Sequence, residues 1–210
     1  MRIASLSLLT VLCLALVAIP AAADQTLYDN GPINGSVDAW TINFGYSVTD
    51  SFTLSSASTI TGFQFGVWAY PGDTPLSVDY SIGSSPYGGT STTVSLSTAF
   101  QYSNQYGYDI DLESVTGLNV PLSAGTYWLT LQNAVTTQGE PLYWDENSGP
   151  SSACESSLGT IPSESFQIIG VSGTTSTTNT SSTTPEPGSI MLFGSGILGL
   201  AGVLRRKLNL

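Results

Sequence analysis

The side chains able to do chemistry in this 210-residue chain are almost all carboxylic acids. It holds 15 Asp and Glu, 4 Lys and Arg and no His, a formal net charge of −11. Between Asp24 and Gly188 there is no Lys, Arg or His, and every acid falls in that stretch. The bases are Arg2, Arg205, Arg206 and Lys207. Nucleic acid is excluded as a partner, because affinity for phosphate backbones comes from clustered Lys and Arg. Without His there is no Ser-His-Asp or Cys-His nucleophile, and the central stretch has no lysine for a Schiff base. A single cysteine in that stretch excludes a cysteine-cage zinc site. The remaining catalytic scheme is a carboxylate pair for glycoside hydrolysis. No motif singles out such a pair, so the chain is expected to be non-enzymatic, with no catalytic residues.

The acids could instead bind a metal. Asp109, Asp111 and Glu113 share one strand parity. At about 6.6 Å between alternate Cα atoms, three in line do not converge on one calcium ion. A solvated acidic face is the expectation there. Asp145, Glu146 and Asn147 lie between Tyr143-Trp144 and Gly149-Pro150, a loop-like stretch whose oxygens could wrap an ion. These three are the metal candidates, for Ca²⁺, against the plainer reading that Asp and Asn are there to make a turn. No other cofactor is expected.

Aromatic residues supply the ligand-binding candidates. Trp68 and Tyr70 share parity with Gln64 and Gly66, and Trp128 with Thr126 and Thr130. If those faces point outward, Trp68, Tyr70 and Trp128 are platforms for sugar rings or partner proteins. If both faces of a central strand are buried, they are packing. Trp144, beside Tyr143 in the loop-like stretch, is the fourth candidate. Cys154 is left alone once Cys13 departs with the leader described below. It is either free to cross-link two molecules or a small loop residue.

The elements that must position these residues read as strands. Alternation with period two recurs at Trp40-Ile42-Phe44, Val78-Tyr80-Ile82, Val94-Leu96, Tyr106-Tyr108-Ile110-Leu112, Tyr127-Leu129-Leu131 and Phe166-Ile168. In each set the apolar parity is expected to face the core. Turn residues separate the runs, at Asn30-Gly31-Pro32, Pro71-Gly72-Asp73, Pro86 to Gly89, Ala124-Gly125 and Gly149-Pro150. The parity changes between Ile60 and Phe63, which points to a bulge at Gly62. About eight to ten short strands predict an all-β fold, an antiparallel two-sheet sandwich of which the jelly roll is one form.

The two ends read as addresses. Residues 1–23 have a positive start, an apolar run from Leu6 to Ile19 and small residues at Ala21-Ala22-Ala23. This is a signal peptide cut after Ala23, with Ala21 and Ala23 as its recognition positions. The domain is 24–172. Residues 173–184 hold ten Ser or Thr in twelve and form a linker with nothing apolar to bury. Residues 188–204 make one short apolar transmembrane helix of roughly 25 Å. Arg205-Arg206-Lys207 follows at once and keeps that end cytoplasmic, so the rest of the chain faces away from the cytoplasm.

Pro185-Glu186-Pro187, the Gly-rich apolar segment and Arg205-Arg206-Lys207 occur in that order over 185–210. This arrangement resembles the PEP-CTERM sorting signal of Gram-negative bacteria. The resemblance implies an exosortase as processing partner, removal of the tail after transient anchoring in the inner membrane, and delivery to the cell surface or extracellular matrix. The body segments VWAYPGDTPLSVDYSIGSSPYGG, AGTYWLTLQNA and YWDENSGPS are similar to exported domains found upstream of such tails, which brings no binding residues with it. The expected role is structural or adhesive, with matrix proteins or exopolysaccharide as partners. The alternative is a carbohydrate-binding module, calcium-assisted or not.

Overall fold

A computed structural model of the chain describes residues 23–173. The leader up to residue 22, the linker beyond Gly173 and the sorting segment with its apolar span lie outside the described residues. The described residues form strands and no helix. In chain order the strands are β1 (Gln25–Asp29), β2 (Ala39–Thr41), β3 (Ser47–Leu54), β4 (Ser58–Ala69), β5 (Pro75–Gly83), β6 (Thr92–Ser95) and β7 (Ser97–Ser103). They continue with β8 (Asp109–Leu122), β9 (Gly125–Thr136), β10 (Tyr143–Asn147), β11 (Ala153–Glu155), β12 (Gly159–Ile161), β13 (Ser163–Glu164) and β14 (Phe166–Ser172).

Two antiparallel sheets result, as the alternation requires. One runs β12-β11-β3-β9-β5-β6. The other is built on β4, which pairs with β8 along one edge and with β14 along the other. β14 extends the sheet to β1, and β8 extends it to β7. Beyond Phe65, where β14 ends its pairing, β10 pairs with Val67 and Trp68 of β4 and itself carries β2 and β13.

The core between the sheets follows the predicted parities. Phe63, Phe65, Val67, Trp144, Phe166 and Ile168 come from one sheet, and Val48, Phe52, Val78, Leu129 and Leu131 from the other. Each such side chain contributes about 1.5–3 kcal/mol by leaving water. The parity change at Ile60 to Phe63 is a bulge. The register of β4 against β8 jumps between Ile60 and Gly62, so both Ile60 and Phe63 reach the core. Gly62 is needed there because a Cβ would run into the carbonyl oxygen of Val115.

Three readings of the alternation are corrected. Phe44 is not a core residue. It sits in a left-handed turn with φ 56° and is largely exposed. The stretch 143–147 is not a loop but strand β10, and Cys154 also lies on a strand, half-buried. The third concerns residues 106–113. Asp111 and Glu113 are opposite Val67 and Phe65, so these acids face the core, while Ile110 and Leu112 are opposite Trp68 and Gly66 on the outer face. Asp111 and Glu113 are therefore buried rather than solvated. The signal misleads because the outer face is itself covered. Ile33 sits against Gly66, and Gly35 against Ile110. Both faces of β8 thus carry apolar residues.

Candidate functional site

The outer face of β4 ends in Trp68, flanked by Ile110 of β8 and Tyr143 of β10. Tyr106, from the turn before β8, stacks on Trp68 with ring centres 5.7 Å apart and planes at 19°. Tyr108 lies 5.8 Å from Trp68 and meets Tyr70 and Tyr143 edge-on, at 5.1 Å and 5.7 Å. With Val37, Asp38 and Ala39, the rings of Trp68, Tyr106, Tyr108 and Tyr143 line a cleft of about 460 Å³, within the usual size of small-ligand sites. Tyr106 is 55% exposed and forms its rim, whereas Trp68 is only 6% exposed and forms its floor.

A buried carboxylate holds the cleft in shape. Asp145 of β10 accepts the Trp68 indole N–H at 2.6 Å and the backbone N–H groups of Asn34 and Gly35, each at 2.7 Å. This fixes the tryptophan and the wall segment 33–38 together. Tyr106 and Tyr102 add phenol donations to the carbonyls of Ser36 and Asn34. Gly35 has φ 63°, and a Cβ there would collide with the Tyr102 hydroxyl. Burial raises the Asp145 carboxyl above its ordinary range, while the Trp68, Asn34 and Gly35 donors oppose the shift. Burial also raises the Tyr143 phenol, helped by the neighbouring Tyr70 and Tyr108 hydroxyls.

The four aromatic candidates separate. Trp68 lines the cleft, and Tyr70 lies beside it, edge-on to Tyr108. Trp128 is half-buried in the other sheet, opposite Ser51 and Gly83. Trp144 is fully buried, packs edge-on against Phe65 and Phe166, and donates its indole N–H to the Ser165 carbonyl. It is a core residue and not part of a binding rim. Sequence reasoning missed Tyr106, Tyr108 and Asp38 as cleft residues and placed Tyr143 in a loop. The available signal was the density of tyrosine at 102, 106 and 108, of which periodicity had assigned Tyr106 and Tyr108 to the core.

The proposed metal trio separates as well. Neighbours on a strand point to opposite faces. Asp145 and Asn147 face the outer segment, Asn147 donating to the Asn30 carbonyl at 2.8 Å. Glu146 points the other way and accepts the Trp40 indole N–H at 3.0 Å. These three residues do not close one oxygen cage. Among the described residues no group of three or more His, Cys, Asp or Glu is arranged to hold a metal ion.

Burial without cations sets the remaining electrostatics. Asp50 lies wholly inside, and burial lifts it to about 6 against its Glu164, Ser151, Ser51 and Asn30 donors. Glu113 is pushed up to about 8 by burial and by Asp111, with the Thr98 hydroxyl as opposing donor. Glu164 is wholly buried, and desolvation, with the charges of Asp50, Glu146, Asp145 and Asp38, holds it well above the carboxylate range.

Residues 183–207 match the family model of the PEP-CTERM protein-sorting motif. The chain is thus an exported protein, a β-sandwich body carrying a sorting signal for exosortase processing. The match begins two residues before Pro185 and ends at Lys207, so it contains the Pro-Glu-Pro and basic positions picked out by sequence. No curated protein matches the chain.

Proposed function

We propose that this exported protein is a non-catalytic adhesive module of the cell surface or matrix that contacts exopolysaccharide through the aromatic cleft. The observation carrying this reading is the gathering of Trp68, Tyr106, Tyr108 and Tyr143 around one open cleft with the Asp38 carboxylate at its edge. Aromatic faces suit the apolar faces of sugar rings, and a carboxylate accepts hydrogen bonds from their hydroxyls. The body offers no cation, so uronic-acid polymers are repelled and neutral or amino sugars are the ligand class. Support for a non-catalytic role comes from the single acid in the cleft lining, since carboxylate hydrolysis takes two.

The placement of the cleft suits display. The chain leaves the sandwich at Ser172, which pairs with Ser58 at the start of β4. Trp68 lies ten residues further along the same strand, roughly 33 Å away. A glycan array probed with the purified protein tests the reading. Neutral or amino-sugar glycans should bind, and Tyr106→Ala should weaken binding about ten-fold, roughly 1.4 kcal/mol. A protein that binds no glycan on the array would return the sandwich to a purely structural role.

A further inference from the structure

Glu146 on β10 and Glu164 on β13 are direct cross-strand partners. Their side chains leave the same face of the sheet with Cβ atoms about 5 Å apart, and two like charges so placed repel. Glu164 is completely buried, and neither of its carboxyl oxygens has a hydrogen-bond partner. Among the described residues it is the one acid with both oxygens sealed from solvent and unpartnered. Two other buried acids, Asp145 and Asp50, are better supplied. Asp145 has three donors, and Asp50 accepts from Asn30 and from the backbone N–H groups of Ser51 and Glu164. Glu146 is 8% exposed and uses one oxygen on Trp40.

The charged groups around Glu164 are all acids. Asp50 faces it from β3, Glu146 and Asp145 are on β10, and Asp38 precedes β2. The body has no Lys, Arg or His to neutralise them. A buried carboxyl without a partner must either keep its proton or find a compensating cation. We propose that Glu164 and Glu146 together hold one divalent cation, Ca²⁺ by its chemistry, as a structural site joining β10 to β13.

Two carboxylates balance one divalent charge. The donor set is oxygen only, which suits Ca²⁺ over the metals that prefer nitrogen or sulfur. Ca²⁺ also tolerates irregular geometry, and carbonyls or water complete its shell. Because no third acid closes on the same point, the site belongs with the weak extracellular class, Kd on the order of 10⁻⁴–10⁻³ M. That range is useful outside the cell, where the sorting motif sends this chain. The site shares β10 and Asp38 with the surroundings of the aromatic cleft. Ca²⁺-dependent melting and glycan binding are separate readouts, so failure of one proposal is distinguishable from failure of the other.

The test is thermal unfolding of the purified protein at pH 7.5 in EDTA and in millimolar CaCl₂ or MgCl₂, with calorimetric titration of CaCl₂ alongside. Ca²⁺ should raise the melting temperature by several degrees, more than Mg²⁺ does, with one ion bound and full reversal by EDTA. Glu164→Gln should melt higher than the wild type in EDTA and lose the Ca²⁺ response, and Glu146→Gln should also lose it. Exposed Glu140→Gln should keep it. Should Glu164→Gln fail to fold, the wild-type stoichiometry and Glu146→Gln carry the test. A wild type indifferent to Ca²⁺ but stabilised by lower pH would overturn the proposal in favour of a proton shared by the pair. Equal Ca²⁺ shifts in wild type and Glu146→Gln would overturn it in favour of diffuse binding to surface acids.

Discussion

Glu113 shows at the scale of one residue what a body without cations does to its acids. It is fully buried, one oxygen accepts the Thr98 hydroxyl at 3.0 Å, and the other has no partner. Its carboxyl is pushed from 4.5 to about 8, first by burial. The folded state therefore binds this proton more tightly than the unfolded chain does. The group's stabilising contribution is fully present below about pH 4.5 and is lost as pH rises through 8. Asp73 and Glu155 are shifted down and act in the opposite sense as pH falls. The clean measurement is thus the stability difference between Glu113→Gln and the wild type. The variant should be close to the wild type at pH 5 and gain on it by a few kcal/mol by pH 8.5. A difference that stays constant over that range would show that Glu113 is not the group responsible.

At the scale of elements, β4 is the strand on which both core and cleft depend. Its bulge turns Ile60 and Phe63 to the core, and its continuation points Trp68 outward. Gly62→Ala places a methyl group against the Val115 carbonyl. It should cost about 2 kcal/mol or more, read as a lower denaturant midpoint at unchanged slope. A neutral result would mean that β8 shifts freely there. This bulge was legible in the sequence because the apolar parity changes within three residues. The two-sheet architecture and most of the core were legible for the same reason, as Val78, Leu129, Leu131, Phe166 and Ile168 show. The cleft was only partly legible. Trp68 and Tyr70 carry an outward parity, but Tyr106 and Tyr108 enter through a turn, where alternation says nothing about direction. Nor could the sequence show that residues 33–38 cover the outer face, because that contact joins positions far apart in the chain. Trp144 and the acids at 111, 113 and 164 were misread or missed for a related reason. A polar residue buried by its neighbours looks the same in sequence as one facing water.

At the scale of the whole molecule, charge and topology agree. All fourteen acids from Asp24 to Glu164 sit in the body, and the bases sit at the two ends. β1 lies beside β14, with Gln25 opposite Gly170, so the body's first and last strands meet at one end of the sandwich while the aromatic cleft lies near the other. A sorting motif at 183–207 then connects the body to its export route. The most direct measurement of this account is intact-mass spectrometry of the protein recovered from outside the cells. The account predicts a chain that starts at Asp24 and has lost the apolar segment and basic cluster that follow Pro187. A full-length chain, unprocessed at both ends and retained inside the cell, would contradict it.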